Sequence, residues 1–290
     1  MGCASGKPAA DVAYTVSANA ANVPPKRTLT FAGGHSEMAN NVGASSAAGE
    51  WLSCGEDKSV TLVDWTAGKV VQTWRGHEKG VHRVVALPSH GGALSGSRDT
   101  TVRVWKRGQA EAAATMRGHE MGVAAIAAAE DGLSALSGSR DSSLRLWDIA
   151  TGQGKARNHV SRNVVTCLSW VPGEASLVAQ GSEDLRLRLW DVRTLSKAAA
   201  TLEGYIYFPL CVDCAGPYVL TGSNGFNSVG CELRLWDRRT NKQVHELTGH
   251  EQAVTGCALL PSPSGSSAPD GALLAASGCK DGEVIASDCF

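Results

Sequence analysis

A histidine, a serine and an aspartate, the residue types of a hydrolase triad, recur together along this 290-residue chain. His77 stands 22 residues before Asp99, and His119 stands 22 residues before Asp141, with two serines ahead of each aspartate. An acyl-transfer enzyme needs one such set, in which the serine is the nucleophile and the histidine is the base. Because the set is repeated, we predict that it is a structural network and that the protein is not an enzyme.

Two other stretches contain residue types that bind metals or phosphate. Cys211 and Cys214 form a C-x-x-C pair with Cys231 nearby, but a zinc site normally takes four ligands, usually from two such pairs. The pair also falls in a predicted strand, in which positions i and i+3 point to opposite faces. Residues 152–159 (GQGKARNH) lack the spacing of a phosphate-binding loop. We therefore predict no metal site and no cofactor.

Composition narrows the class of partner. The formal net charge is −1, and the basic residues are scattered without interleaved aromatic residues, so we expect no binding of nucleic acid. No apolar run is long enough for a spanning helix, and no secretory signal opens the chain. The nine cysteines are then expected to be mostly free thiols of a cytoplasmic protein.

The recurring histidines mark a longer unit that returns about every 40–46 residues. Each unit contains short runs rich in Val and Leu, such as 81–87 (VHRVVAL), 93–97 (ALSGS) and 101–105 (TVRVW), separated by Gly, Ser, Pro and Asp. No stretch sustains the 3.6-residue period of a helix. We predict an all-β domain over residues 28–290, built of six visible units of four antiparallel strands a to d, behind a flexible leader of residues 1–27.

The units resemble those of the WD-repeat β-propeller family, which carry Gly-His before strand a and Trp-Asp at the end of strand c. The resemblance implies that the histidine, the aspartate of the b–c turn, a strand-b serine and the strand-c tryptophan bond to one another. Either Ser95 or Ser97 would take the serine place in one unit, and Ser137 or Ser139 in the next. The network residues are His77, Asp99, Trp105, His119, Asp141, Trp147, His159, Asp184 and Trp190.

Three stretches carry a closer resemblance: 160–174 (VSRNVVTCLSWVPGE), 181–191 (GSEDLRLRLWD) and 222–237 (GSNGFNSVGCELRLWD). They look like the family of WD repeat-containing protein 31, whose members have seven blades, no known catalytic activity and an association with cilia. The resemblance implies a non-catalytic interaction scaffold in ciliary or flagellar assembly or trafficking, at a cilium or basal body. An enzyme or ligand-binding propeller with a pocket in the 158–237 units is the alternative.

The last unit departs from the pattern, because Ser287 stands in its tryptophan place and no fourth strand follows it. Residues 27–31 (RTLTF) precede the first Gly-His and are expected to be the outer strand of the closing blade. They would either pair with residues 283–287 and close six blades, or belong to an incomplete seven-bladed propeller. The seven blades of the resembled family and the degraded last strand favour the incomplete propeller.

A partner is expected on the face made by the d–a and b–c loops, where the residue before each turn aspartate projects in WD-repeat proteins. Here these residues are Glu56, Arg98, Arg140 and Glu183, and Phe226 lies in an enlarged b–c loop on the same face. A mixed-charge ring with an exposed aromatic side chain favours a salt-sensitive contact with a protein.

The chain opens with MGCASGK, which leaves a glycine at the amino terminus once Met is removed. Gly2 could then carry a myristoyl group and Cys3 a palmitoyl group, and two acyl chains hold a protein on a membrane where one binds only marginally. Position 6 is Gly instead of the Ser or Thr of the myristoylation pattern, so an unmodified leader is the alternative. Acylation would tether the scaffold to a membrane surface.

Overall fold

The computed structural model describes residues 33–87, 91–159, 164–261, 273–280 and 282–289. This part of the chain consists of short β-strands and their connections, with one 3-10 turn at Val192–Thr194. It contains no helix that is long and apolar enough to cross a membrane. The leader, the strand expected at 27–31 and the acylation sites Gly2 and Cys3 lie outside the described residues, so the statements about them stay predictions.

The strands form six antiparallel sheets, which we call blades 1 to 6 in chain order. Blade 1 contains β1 (Ala39–Ala44), β2 (Glu50–Gly55), β3 (Ser59–Asp64) and β4 (Lys69–Arg75). Blade 2 contains β5 (Val81–Leu87), β6 (Gly92–Ser97), β7 (Val102–Trp105) and β8 (Ala114–Met116). Blade 3 contains β9 (Val123–Ala128), β10 (Ser134–Ser139), β11 (Ser143–Asp148) and β12 (Gly154–His159).

The second half of the chain continues this order. Blade 4 contains β13 (Val165–Trp170), β14 (Leu177–Ser182), β15 (Arg186–Asp191) and β16 (Ala200–Leu202). Blade 5 contains β17 (Pro209–Ala215), β18 (Tyr218–Ser223), β19 (Leu233–Asp237) and β20 (Lys242–Leu247). Blade 6 has three described strands, β21 (Val254–Pro261), β22 (Leu273–Cys279) and β23 (Val284–Asp288).

The b–c turn of blade 2 shows why aspartate recurs at this point of each unit. Thr100 at the tip of the turn has a φ of +70°, and Asp99 Oδ1 accepts the N–H of Thr101 at 3.0 Å. Asp141 accepts the N–H of Ser143 at 2.9 Å in the corresponding turn of blade 3. A short acceptor two residues before the amide closes such a turn, as in an Asx turn.

Neighbouring blades pack face to face through aliphatic side chains. Between blades 2 and 3, Leu94 and Val102 lie in one cluster with Val123 and Ile126. Gly96 is required at this joint, because a Cβ there would lie 2.7 Å from a methyl group of Val123. The a strands of all six blades line a central channel of about 320 Å³. The described part of the chain forms the six blades of a β-propeller, which confirms the predicted all-β fold and its six repeat units.

The joint between blade 6 and blade 1 differs from the others. Trp51 is 42% exposed and Val42 is 58% exposed, whereas their counterparts in blade 2, Ala93 and Val84, are 0% and 2% exposed. On blade 6, Val284 is 41% exposed, while the residue in its place in blade 2 is fully buried. The face of blade 1 that carries Trp51 and Val42 and the face of blade 6 that carries Val284 are therefore open to solvent. The corresponding faces of blade 2 are covered by the neighbouring blades.

The predicted choice between six closed blades and an incomplete seven-bladed ring depends on a ladder between residues 27–31 and 283–287. Residues 27–31 lie outside the described part of the chain. Either arrangement therefore stays a prediction.

Candidate functional site

In blade 2 the predicted network residues form one hydrogen-bonded chain. Trp105 Nε1 donates to Ser95 Oγ at 2.8 Å, and Ser95 Oγ lies 2.8 Å from His77 Nε2. His77 Nδ1 lies 2.8 Å from Asp99 Oδ2. With a neutral ring, Ser95 donates to Nε2 and Nδ1–H donates to Asp99, so these buried groups are paired. Ser97 has a different role, since its Oγ donates to carbonyls of the loop before strand a.

Blade 3 repeats this arrangement. Trp147 Nε1 donates to Ser137 Oγ at 2.7 Å, Ser137 Oγ lies 2.7 Å from His119 Nε2, and His119 Nδ1 lies 3.0 Å from Asp141 Oδ2. Ser137 is fully buried and its oxygen already accepts the indole N–H. A nucleophilic serine has to reach a substrate. The geometry of this set is therefore that of a structural network.

The network pairs a charged aspartate with a neutral histidine. Burial by itself would raise the pKa of Asp141, but hydrogen bonds from Ser143, from the Glu120 N–H and from His119 outweigh it and lower that pKa to about 2. Burial lowers the pKa of His119, against the opposing effect of Asp141. At neutral pH the pair is thus a carboxylate bonded to an uncharged imidazole.

Blades 1 and 6 keep only part of the network. His35 Nδ1 lies 3.0 Å from Asp57 Oδ1 in blade 1, where Val63 stands in the tryptophan place. His250 Nε2 lies 2.8 Å from Ser277 Oγ in blade 6. His35 Nε2 also lies 2.8 Å from Ser53 Oγ, so the histidine–serine contact persists in both blades although the tryptophan has been lost.

Blade 4 builds its network from other residues than the sequence predicts. His159 lies exposed at the end of the outer strand of blade 3, which corrects the expectation that it bonds to Asp184. Arg188 Nη1 donates to Asp184 Oδ1 at 3.1 Å instead, and Trp190 Nε1 donates to Gln180 Oε1 at 2.9 Å. A guanidinium and an amide thus pair the aspartate and the indole. The sequence signals this exchange, because a glutamine stands in the serine place of this unit. Residues 179–184 read AQGSED, whereas residues 94–99 of blade 2 read LSGSRD.

Blade 5 departs furthest from the pattern. Tyr205 takes the histidine place, and its hydroxyl lies 2.9 Å from Thr221 Oγ1. Gly230 stands in the aspartate place, and a buried ion pair between Arg234 and Glu232, at 3.0 Å, fills the space nearby. The Arg234 guanidinium also lies 5.1 Å from the Tyr205 ring centroid, a cation–π distance.

Cys211 and Cys214 do not converge on a common site. Cys211 packs in the cluster between blades 5 and 6, and Cys214 packs in the cluster between blades 4 and 5. Burial raises the pKa of Cys214 to about 12. Among the described residues, no group of three or more His, Cys, Asp or Glu side chains is placed to hold a metal ion.

The four charged residues predicted to contact a partner occupy equivalent places at one end of the propeller, which we call the loop face. The backbone N–H of each bonds to the carbonyl of the residue just before strand a of its blade. The distances are 2.9 Å for Glu56, 3.0 Å for Arg98, 3.2 Å for Arg140 and 2.9 Å for Glu183. The same bond, at 3.1 Å, places Lys280 of blade 6 in the set. Sequence reasoning missed Lys280, although it precedes the turn aspartate of its unit.

The acids and bases of this set partly compensate one another. Arg98 Nη1 lies 3.2 Å from Glu56 Oε2, and Asn40 Nδ2 donates to Glu56 Oε1 at 3.0 Å. The Arg98 side chain is nonetheless 57% exposed, and Arg140 and Glu183 are exposed as well. Phe226, in the enlarged b–c loop of blade 5, is 60% exposed. The loop face therefore presents charged side chains on blades 1 to 4 and an aromatic side chain on blade 5.

The blades, the central channel and the His–Ser–Asp–Trp network define a propeller of the WD type. The family model described as WD domain, G-beta repeat, matches residues 68–106, 111–148, 154–191 and 241–285, together more than half of the chain. The chain belongs to the WD-repeat family. The matched segments leave out residues 192–240, which contain the first three strands of the blade with the tyrosine and glycine replacements.

Proposed function

We propose that this protein is a non-catalytic interaction scaffold whose protein partner binds at the loop face. The main observation in support of this proposal is that the polar groups are divided between the interior of the blades and the loop face. The recurring Ser, His and Asp side chains are buried and bonded to one another. Arg98, Arg140 and Glu183, which precede the b–c turns, are instead tied down by their backbone and keep their charged side chains exposed. Rigid loops that present exposed charges are typical of binding surfaces.

The chemistry of the ring makes the contact sensitive to salt. Arg98 and Arg140 are neighbours on blades 2 and 3, with Glu56 on one side and Glu183 on the other. Charges at this exposure are screened over about 8–10 Å at physiological ionic strength. Raising the salt concentration should therefore slow the association of this protein with its partner more than it changes the stability of the fold.

The proposal also includes a cellular location for the scaffold. The resemblance of residues 160–174, 181–191 and 222–237 to a cilia-associated family supports a role in ciliary or flagellar assembly or trafficking. The amino-terminal Gly2 and Cys3 support acylation and a membrane tether on the cytoplasmic side. Neither residue lies in the described part of the chain.

The test is a quantitative pull-down from extracts of ciliated cells with charge-reversed variants. Arg98→Glu combined with Arg140→Glu should lose the proteins that the unchanged chain retains, while its thermal melt stays the same. The matched control is Arg193→Glu combined with Arg239→Glu, two exposed arginines after strand c at the opposite end of the propeller. The proposal fails if both double variants retain the same proteins as the unchanged chain.

A further inference from the structure

The enlarged b–c loop of blade 5 is a formed β-hairpin. The Phe226 N–H donates to the Val229 carbonyl at 3.0 Å, and the Val229 N–H donates to the Phe226 carbonyl at 3.1 Å. The two residues between them, Asn227 and Ser228, have φ values of +50° and +62°. Positive φ at both central residues is the geometry of a two-residue hairpin turn of type I′, and Asn is favoured in such turns.

The hairpin is held on both sides. The Asn224 N–H donates to the Phe208 carbonyl at 2.9 Å, which ties the hairpin to the d–a loop of its own blade. The Ser228 N–H donates to the Glu251 carbonyl at 2.9 Å, which ties its tip to the loop before blade 6. A surface fixed in this way loses little conformational entropy when a partner binds.

Apolar side chains are nevertheless held open to solvent on this rigid support. Phe226 is 60% exposed and Val229 is 53% exposed, and paired residues of an antiparallel ladder point to the same face. Ile206 is 63% exposed and precedes Phe208 by two residues, in the d–a loop segment to which the Asn224 N–H ties the hairpin. These three residues form what we call the hairpin patch. A rigid, exposed group of large apolar side chains is characteristic of a contact surface.

A cavity of about 200 Å³ lies beside the hairpin, and Ser228, Glu232 and Glu251 contribute to its lining. Glu232 is 7% exposed. The two contacts that Arg234 makes with it, at 3.0 and 3.1 Å, both go to Oε1, and within the described part of the chain Oε2 can accept a further donor. The cavity is thus large enough for the end of one side chain and carries a carboxylate in its wall.

The charge balance around the cavity is negative. Arg234 is shared between Glu232, at 3.0 Å, and Glu246, at 3.7 Å, so one cation faces two carboxylates. Glu251 at the cavity adds another acid. Lys280 belongs to the same face but lies on the b–c turn of the following blade. The complement of such a cavity is a cationic side chain.

We propose that the hairpin patch and this cavity together bind a segment of a protein partner that presents a Lys or Arg next to apolar side chains. The apolar side chains cover Phe226, Val229 and Ile206, and the cation enters the cavity toward Glu232 and Glu251. The inference deepens the proposed function and rests on it, but it assigns the contact to blades 5 and 6, separately from the arginines of blades 2 and 3.

The experiment selects peptides from a random phage-displayed library on the immobilised full chain and measures the selected peptides by fluorescence polarisation. The expected sequences are enriched in a Lys or Arg beside apolar residues. Phe226→Ser should weaken their binding by about tenfold or more. The matched control is Met121→Ser, which removes a side chain of 51% exposure from the loop before blade 3.

The cation is tested by a double change. Replacing the selected Arg or Lys by citrulline or glutamine should weaken binding to the unchanged chain, and this loss should shrink when Glu251→Gln is present. Acidic selected sequences, no enrichment over background, or equal effects of Phe226→Ser and Met121→Ser would overturn the inference. Peptides that are lost with the Arg98→Glu and Arg140→Glu variant but retained by Phe226→Ser would also overturn it, and would leave the proposed function standing.

Discussion

The replacement Asp141→Ala tests the network most directly. The carboxylate accepts hydrogen bonds from His119 Nδ1, from the Glu120 N–H and from both the N–H and the hydroxyl of Ser143. Alanine removes every acceptor at once and leaves these donors in a buried site without their partner. The perturbation is therefore a loss of paired polar groups with little change in apolar packing.

Its magnitude follows from the pKa of the carboxyl group. The pKa falls from 3.8 to about 2 in the folded protein, which corresponds to about 2 kcal/mol of preferential stabilisation of the carboxylate. The Asp141 side chain is only 4% exposed, so solvent screening is small. With the cost of the donors left unpaired, the free energy of unfolding should drop by about 2–4 kcal/mol.

The same pKa sets a pH dependence. Because the folded pKa lies below the unfolded value, the stabilisation is complete above about pH 5 and is lost as the pH falls through about 4 toward 2. Asp57 of blade 1, whose pKa is also lowered to about 2 by bonds from Ser59 and His35 that outweigh its burial, acts in the same direction. The Asp141→Ala protein should lose stability less steeply over this range than the unchanged chain.

The assay is urea unfolding followed by tryptophan fluorescence, in which Trp147 of the same blade reports directly. A loss of 2–4 kcal/mol should lower the midpoint by about 1 M. The matched control is Asp148→Ala, an aspartate of the same blade whose partners Thr151 and Lys155 lie at the surface, and its midpoint should shift much less. Equal midpoints for Asp141→Ala and the unchanged chain would refute the reasoning.

Three further outcomes are expected. A Gly2→Ala chain should leave the membrane fraction, and Cys3→Ser should leave weak, reversible binding; equal membrane fractions for Gly2→Ala and the unchanged chain would reject acylation. Burial raises the pKa of Cys167 to about 12, so iodoacetamide at pH 8 should label it by mass spectrometry only after unfolding, and native labelling would contradict its burial. Trp51→Ser should reduce light scattering by concentrated protein more than Trp65→Ser, a tryptophan of 45% exposure outside the open joint, whereas equal effects would show that the joint does not drive association.

Much of the fold could be predicted because its signals are local. An aspartate such as Asp99 closes the b–c turn with the amide two residues on, and this requires only neighbouring residues. The spacing from His77 to Asp99 and Trp105 is set by three consecutive strands of one blade, so it recurs whenever the blade recurs. The repeat period, the strands and the members of the hydrogen-bonded network could therefore be predicted from the sequence in blades 2 and 3.

Other features depended on where distant segments meet. Ser95 and Ser97 point to the same side of one strand, and only the reach of the His77 ring decided between them. His159 carries the expected mark but lies in the outer strand of blade 3, and Arg188 of the next blade pairs with the aspartate instead.

The sequence by itself determined the repeat, the strands and the six blades, because each unit closes its own turns and ladders within about 40–46 residues. Tertiary structure alone decided the exposed joint between blades 6 and 1, the hairpin patch and the cavity beside it. Exposure and cavity shape depend on which surfaces of separate blades come together. The Ser228–Glu251 bond, for example, joins two loops on different blades, and no periodicity within a single unit encodes such a contact.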